Sequence, residues 1–263
     1  MITIKTAEEI EKMKQGGKIL SQVLSQVMAA CVPGAHTEEL DRIAREGITK
    51  ANGKPSFLHY QISDVDPPYP STVCISINEE VVHGLATPNR VIKEGDLVGL
   101  DIGMWYEGLA TDMAATVCVG NVTSEARELS KDTRESLKLG LAVIKEGAWL
   151  HEISQAIEGY LAPKGYGIIR DLCGHGVGYS VHEDPQIPNY HERRHKPVKL
   201  KAGMCLAIEP MVSAGDWRIR QKDDGWTYVT ADKSLAAHWE VTIVVTKSGF
   251  EFITPWPNVE AGS

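Results

Sequence analysis

Val91-Ile92-Lys93-Glu94-Gly95-Asp96-Leu97-Val98-Gly99-Leu100-Asp101 and Lys199-Leu200-Lys201-Ala202-Gly203-Met204-Cys205-Leu206-Ala207-Ile208-Glu209 carry one pattern twice. Gly95 stands on Gly203, and a carboxylate ends each apolar run. Thr111-Asp112-Met113-Ala114-Ala115-Thr116-Val117 likewise matches Trp239-Glu240-Val241-Thr242-Ile243-Val244-Val245. Each half of the chain thus offers one strand that ends in an acid and a later strand that begins with one. Acidic side chains are almost never buried without a partner. Asp101, Asp112, Glu209 and Glu240 on four apolar strands therefore point to a shared site. Gly103-Met104-Trp105-Tyr106-Glu107-Gly108 reads as a hairpin turn, and an antiparallel hairpin there sets the two aspartates opposite one another. Four ionised carboxylates repel, and most stay protonated unless cations balance them. Two divalent ions would cancel the four charges, and oxygen-rich ligation suits manganese, iron(II), cobalt or zinc. The plainer alternative is a set of strand-end acids capping turns.

The surrounding chain repeats as well. Thr6-Ala7-Glu8-Glu9 is a capping-box sequence, and Ile10, Met13, Ile19, Leu20, Val23, Leu24, Val27 and Met28 follow at helical spacing up to Pro33-Gly34. A second helix is predicted from Glu38 to about Ala51, a third from Glu125 to Ile144 and a fourth from His151 to Leu161. Gly34-Ala35, Glu39-Leu40 and Ile48 match Gly147-Ala148, Glu152-Ile153 and Leu161 at one constant offset. Both halves read helix, helix, loop and then acid-bearing strands, an internal duplication. No linker-like stretch divides them. The expectation is an α+β chain folded as one domain over 1–263, with halves of about 1–122 and 123–263 and a site at their interface.

Composition narrows the function classes. With 263 residues, 43% of them hydrophobic, a large core is expected. A net charge of −8 and a pI near 5.6 argue against a nucleic-acid surface. The one basic cluster, Arg193-Arg194-His195-Lys196, reads as a solvated loop. Cys31, Cys74, Cys118, Cys173 and Cys205 are odd in number and sit among apolar residues, which suits reduced thiols in the cytoplasm. Neither a signal region nor a membrane-spanning stretch is expected. Gln61 to Ser71, with its three prolines, reads as irregular surface chain, and Asp216 to Leu235 as a hairpin around Asp223-Asp224-Gly225.

Three histidines belong with the acids. His175 lies in Cys173-Gly174-His175-Gly176-Val177-Gly178, where glycines allow close backbone approach. His182 follows Tyr179-Ser180-Val181, and His83 lies between Val81-Val82 and Gly84. Each is equally readable as a satisfied core residue. His191-Glu192-Arg193-Arg194-His195 fits the His-Glu-x-x-His pattern of zinc proteases, whose chemistry needs a helix. Pro188 and Pro197 bracket that segment and leave no room for one, so it reads as surface loop.

The order His83, Asp101, Asp112, His175, His182, Glu209, Glu240 resembles the methionine aminopeptidases, with local matches at Asn78-Glu79-Glu80-Val81-Val82-His83-Gly84, Gly95–Asp101, Gly174–Gly178 and Ile208-Glu209-Pro210-Met211. The likeness spans nearly the whole chain. It implies the pita-bread fold, two pseudo-symmetric halves with helices packed on a curved antiparallel sheet. The short interval from His182 to Glu209 is similar to the type I, compact bacterial form. The resemblance implies two divalent metal ions: Asp101 chelating one, Asp112 and Glu240 bridging both, and His175 and Glu209 holding the other. A bridging water would attack the first peptide carbonyl, Glu209 would take and relay its proton, His182 would stabilise the oxyanion, and His83 would contact the amide nitrogen and the departing amine.

The family also places a methionine pocket at positions matched by Phe57, Tyr60, Tyr69, Cys74 and Trp226, and an aromatic rim with a thiol suits a thioether. Each of these is equally readable as ordinary core. Two departures stand out. Val181 replaces a common phenylalanine, which is expected to widen the pocket, and Gln61 to Pro68 is longer than usual. The implied substrates are nascent chains with a small second residue, the implied protein is a cytoplasmic monomer with no nucleic-acid or membrane partner, and association with ribosomes is compatible with this role. Two competing readings share the fold: an X-Pro aminopeptidase or dipeptidase, whose members carry an additional N-terminal domain, and a non-catalytic pita-bread binding protein, whose members lose ligands.

Overall fold

The computed structural model describes residues 2–61, 67–192 and 197–257. Four helices form where the apolar periodicity places them: α1 (Ala7–Ala30), α2 (Thr37–Lys50), α3 (Ser124–Ala142) and α4 (Leu150–Leu161). Their ends lie within two residues of the sequence expectation, as frayed termini do. The capping box at Thr6 is present. Glu9 N donates to Thr6 Oγ1, and Thr6 N donates to Glu9 Oε2 at 2.7 Å.

Among the described residues the main sheet has nine strands, antiparallel at every pairing. Lys54–Pro55, Leu97–Tyr106, Leu109–Cys118, Glu240–Val245, Cys205–Ile208, Gly174–Gly176 and Glu183–Ile187 follow one another across it. Val73–Ile77 also pairs with Leu97–Tyr106, and Phe250–Phe252 with Glu240–Val245. The sheet curls, with helices against one face, in the α+β pita-bread arrangement. At its centre a strand of the first half meets one of the second, pairing Ala114 with Glu240 and Met113 with Val241.

Pleating then sorts the side chains. Directly paired residues, and residues two apart, share a face. Asp101 pairs with Ala114, Ala114 with Glu240, Thr242 with Ala207 and Ala207 with His175. Asp112, two residues before Ala114, and Glu209, two after Ala207, fall on that same face. Leu100, Ile102, Met104, Met113, Leu206, Ile208, Val241 and Ile243 turn to the other face and pack with Leu20, Leu24, Leu40, Leu129, Leu137 and Ile153 of the helices. One face is core, and the other is the site.

Two sequence expectations need correcting. Asp101 and Asp112 are not opposite one another: Asp101 pairs with Ala114 and Gly103 with Asp112, so the aspartates are diagonal neighbours. The hairpin turns at Glu107-Gly108, both at positive φ (47° and 83°), as a two-residue turn of primed type requires. Gly103 stays inside the strand, where a Cβ would strike Ser56 and the ring of Phe57. Nor do the first two acids mark strand ends. Asp101 and Asp112 sit in the middle of ten-residue strands, whereas Glu209 follows its strand and Glu240 opens one.

The duplication recurs in geometry. Isolated bridges join His36 to Val91 and Trp149 to Lys199. Gly34 and Gly147 have φ of 90° and 85°, and Gly95 and Gly203 of 87° and 88°. All five cysteines are free thiols. No helix among the described residues is long and apolar enough to cross a membrane.

Candidate metal centre

A cavity of about 390 Å³ opens on the acid-bearing face. Asp101, Asp112, His175, Glu209 and Glu240 line it together with His83, His182, Phe57, Tyr60, Tyr69, Cys74 and Trp226. The twelve residues expected to hold metal, act in catalysis or form the methionine pocket therefore border one space. Asp112, Glu240 and His175 are 4%, 2% and 8% exposed, so their chemistry is decided by the protein. Thr242 anchors the middle of the site: its hydroxyl donates to Asp112 O at 2.7 Å and accepts from Asp112 N at 3.2 Å.

Burial pushes all four carboxyl groups up: Asp101 to about 7, and Asp112, Glu209 and Glu240 well above the ordinary carboxylate range. Mutual repulsion adds to burial for Asp112 and Glu240. The proximity of the two aspartates favours the charge on Asp101 over that on Asp112. Among the described residues no lysine or arginine lines the cavity to offset these charges. Eleven buried side-chain atoms among the described residues have no hydrogen-bond partner, and six of them belong here: Asp101 Oδ1, Asp112 Oδ1, Glu240 Oε1, His83 Nδ1, Trp226 Nε1 and His238 Nε2. Orphaned carboxylate oxygens in such density fit a site built for cations.

The donor geometry fits too. One ligand atom each from Asp112, His175 and Glu240 lie within 4.8 Å of one another, and so do atoms of Glu209, His238 and Glu240. Glu240 belongs to both groups. Asp101 falls outside both but lines the same cavity. His175 is prepared for ligation: its Nδ1–H donates to Gly176 O at 2.8 Å, which turns the Nε2 lone pair to the cavity, 3.4 Å from Glu209. Burial lowers its pKa to about 3, so the ring is neutral. The flanking glycines allow this approach, because a Cβ at Gly174 or Gly176 would strike the carbonyl of Ala207 or Asp184.

His83 is held at φ 58°, a left-handed conformation rare for a side-chain-bearing residue and common at functional sites. It packs edge-on against Trp226 and Tyr228. Burial takes its pKa to about 4. His182 turns toward the site, its ring 4.5 Å from that of His175. The hairpin around Asp224 forms as expected, with Ile219–Gln221 paired to Tyr228–Thr230. Asp224 Oδ1 accepts from the amides of Trp226 and Thr227, which fixes the indole against Tyr69. Phe57, Tyr69, Cys74, Val181 and Trp226 share one apolar cluster. Val181 is buried in that cluster and is not among the residues that line the cavity.

His238 was missed in the sequence. It is 3% exposed, with Nε2 3.6 Å from Glu209 and 3.9 Å from Glu240. Its position two residues before Glu240 was the available signal. Asp171 and Leu172 also line the cavity and carried no motif, whereas Cys173 and Met211, which line it too, lie in the stretches that carry His175 and Glu209. His191 and Glu192 of the His-Glu-x-x-His decoy lie outside any helix, while residues 193–196 lie outside the described residues, as do 62–66 of the long loop.

Residues 11–247 match metallopeptidase family M24. A methionine aminopeptidase of Clostridium acetobutylicum is 42% identical, over 97% of this chain and 99% of its own. The crystal structure of methionine aminopeptidase from Thermotoga maritima superposes with a TM-score of 0.91 at 45% identity, covering 97% of this chain and 99% of that one. A Xaa-Pro dipeptidase from Bacillus anthracis shares the fold at 23% identity and a TM-score of 0.73, with 95% of this chain covering 61% of that one.

Proposed function

Because this chain belongs to metallopeptidase family M24, we propose that the acid-lined cavity is the active centre through which it acts as a metal-dependent methionine aminopeptidase. It is a hydrolase that removes N-terminal methionine. The observation that carries the site assignment is a single sheet face bearing four carboxylates, Asp112, Glu209 and Glu240 buried and Asp101 partly buried, and one neutral histidine, with no protein cation among the described residues that line it. Asp101, Asp112, His175, Glu209 and Glu240 would hold two divalent ions of the manganese, iron(II), cobalt or zinc type. Such ions would supply Lewis-acid charge and a nucleophile at neutral pH.

The protein's own groups do the rest. Glu209, whose carboxyl is raised by burial, accepts a proton at a carboxylate oxygen and passes it to the departing amine. His182 donates to the carbonyl oxygen of the first peptide bond as negative charge grows there, and His83 contacts the amide nitrogen. Phe57, Tyr69, Cys74 and Trp226 close around the methionine side chain and exclude water. Substrates are the N-termini of nascent chains with a small second residue, which places the enzyme in the cytoplasm beside ribosomes, acting as a monomer over the whole of 1–263.

The test is release of free methionine from a Met-Ala-Ser peptide after the protein is stripped of metal and restored with manganese or cobalt, with an Ala-Pro peptide in parallel. Metal-dependent methionine release without cleavage before proline is expected. Silence toward Met-Ala-Ser with every metal, or preference for the proline bond, overturns the reading. His238 borders both Glu209 and Glu240, its Nε2 3.6 Å and 3.9 Å from them. His238→Ala is expected to weaken metal binding by about 10- to 100-fold, measured by titration against a competing chromophoric chelator. Unchanged affinity would remove His238 from the site.

A further inference from the structure

The Tyr60 ring belongs to the cavity wall, but its hydroxyl makes a contact of its own. Oη lies 2.9 Å from Nδ1 of His182, with the rings edge to face and their centroids 5.4 Å apart. The ring of His182 also lies edge to face with that of His175, their centroids 4.5 Å apart. Tyr60 is fixed at the neck of the long loop. His59 N donates to Tyr69 O, and Tyr69 N donates to Tyr60 O, each at 2.8 Å. Those two bonds tie His59 and Tyr60 to Tyr69.

A phenol hydroxyl is a stronger donor than an imidazole N–H, and an imidazole nitrogen is a stronger acceptor than a phenol oxygen. Partial burial raises the Tyr60 pKa, so the phenol keeps its proton. The hydroxyl therefore donates to Nδ1, and the ring proton of neutral His182 sits on Nε2. We propose that Tyr60 is a positioning residue that fixes His182 as its Nε2–H tautomer, so that the ring presents a donor to the cavity. This rests on the reading of His182 as donor to the peptide oxygen. The other tautomer would turn a lone pair on that oxygen and repel it as its charge grows.

The test uses the full chain loaded with zinc, which is diamagnetic, labelled with nitrogen-15 in histidine and held at about pH 8, where an ordinary imidazole is neutral. Long-range nitrogen–proton correlation separates the two tautomers, and His182→Asn assigns the ring. Wild-type His182 is expected as Nε2–H, and Tyr60→Phe is expected to shift it to a mixture. Tyr60→Phe keeps the aromatic wall, so its kcat is expected to fall on the order of tenfold with KM little changed. The double variant is expected to be no worse than His182→Asn alone. A wild-type ring already protonated on Nδ1, or a Tyr60→Phe ring still wholly Nε2–H, overturns the proposal. Full activity in His182→Asn would instead overturn the role given to His182, and the spectrum alone would then decide whether Tyr60 sets its tautomer.

Discussion

Replacing Asp112 by asparagine is expected to lower methionine release by on the order of a thousandfold or more, while raising the melting temperature of the metal-free protein. Both effects come from one carboxylate. Asp112 lies in the middle of a sheet strand, 4% exposed, with Oδ1 unpartnered and its backbone tied to Thr242. In the metal-free protein its charge is opposed by burial and by Asp101 and Glu209. Asparagine keeps the shape and spares the folded chain the cost of burying that charge or protonating the group, and each kcal/mol relieved shifts the midpoint of a domain this size by roughly 2–4 °C. The same change removes a ligand from the group formed with His175 and Glu240, so bound metal should fall with activity. Metal content by mass spectrometry, turnover, and calorimetry in chelator read the three effects separately. An Asp112→Asn protein that keeps metal and turnover would sink the assignment. Glu240→Gln is expected to behave alike, and the double variant to be little worse than either, because the two act as one unit.

The site was legible because burial of acids contradicts composition rules so sharply. Asp101, Asp112, Glu209 and Glu240 could be found by asking which carboxylates interrupt apolar strands, and the repeat at Gly95 and Gly203 paired them. Register was not legible. A run containing Gly103 and Gly108 offers two glycines as turn residues, and only tertiary packing shows that Gly103 is needed beneath Phe57 while Glu107-Gly108 turns the chain. The error moved the aspartates by two residues yet kept them on one face, since a shift of two preserves the alternation. His238 escaped for a different reason. A histidine in Ala236-Ala237-His238 has no glycine or motif around it, and its meaning comes from Glu209, brought near through pairing of Met211 with His238. Asp171 and Leu172 border the cavity from a segment without periodicity, where sequence carries no directional signal.

Between about pH 6.5 and about pH 8 the metal-free protein is expected to lose stability, while the stabilisation conferred by added metal grows. The sign follows from where protons sit. Unfolded carboxyl groups titrate near 4, but in the folded protein Asp101 is pushed up to about 7 and Asp112, Glu209 and Glu240 are also raised. Over that interval the folded state holds protons that the unfolded state has released, so raising the pH favours unfolding. The buried histidines act in the opposite sense. Burial lowers His175 to about 3, His83 to about 4, and His238 below its ordinary value. Their contribution is complete above about 6.5 and is lost as pH falls below it. The two sets oppose one another between about pH 4 and about pH 6.5, and above that only the carboxyl groups still act. Metal binding requires those same carboxylates without their protons, so less proton competition remains as pH rises and the metal-induced shift in melting temperature should increase. Calorimetry in chelator and in saturating zinc at both ends of the window decides it. A metal-free protein that gains stability with pH, or a zinc-induced shift that stays constant, would mean that the four carboxyl groups are not the buried, proton-holding cluster their surroundings dictate.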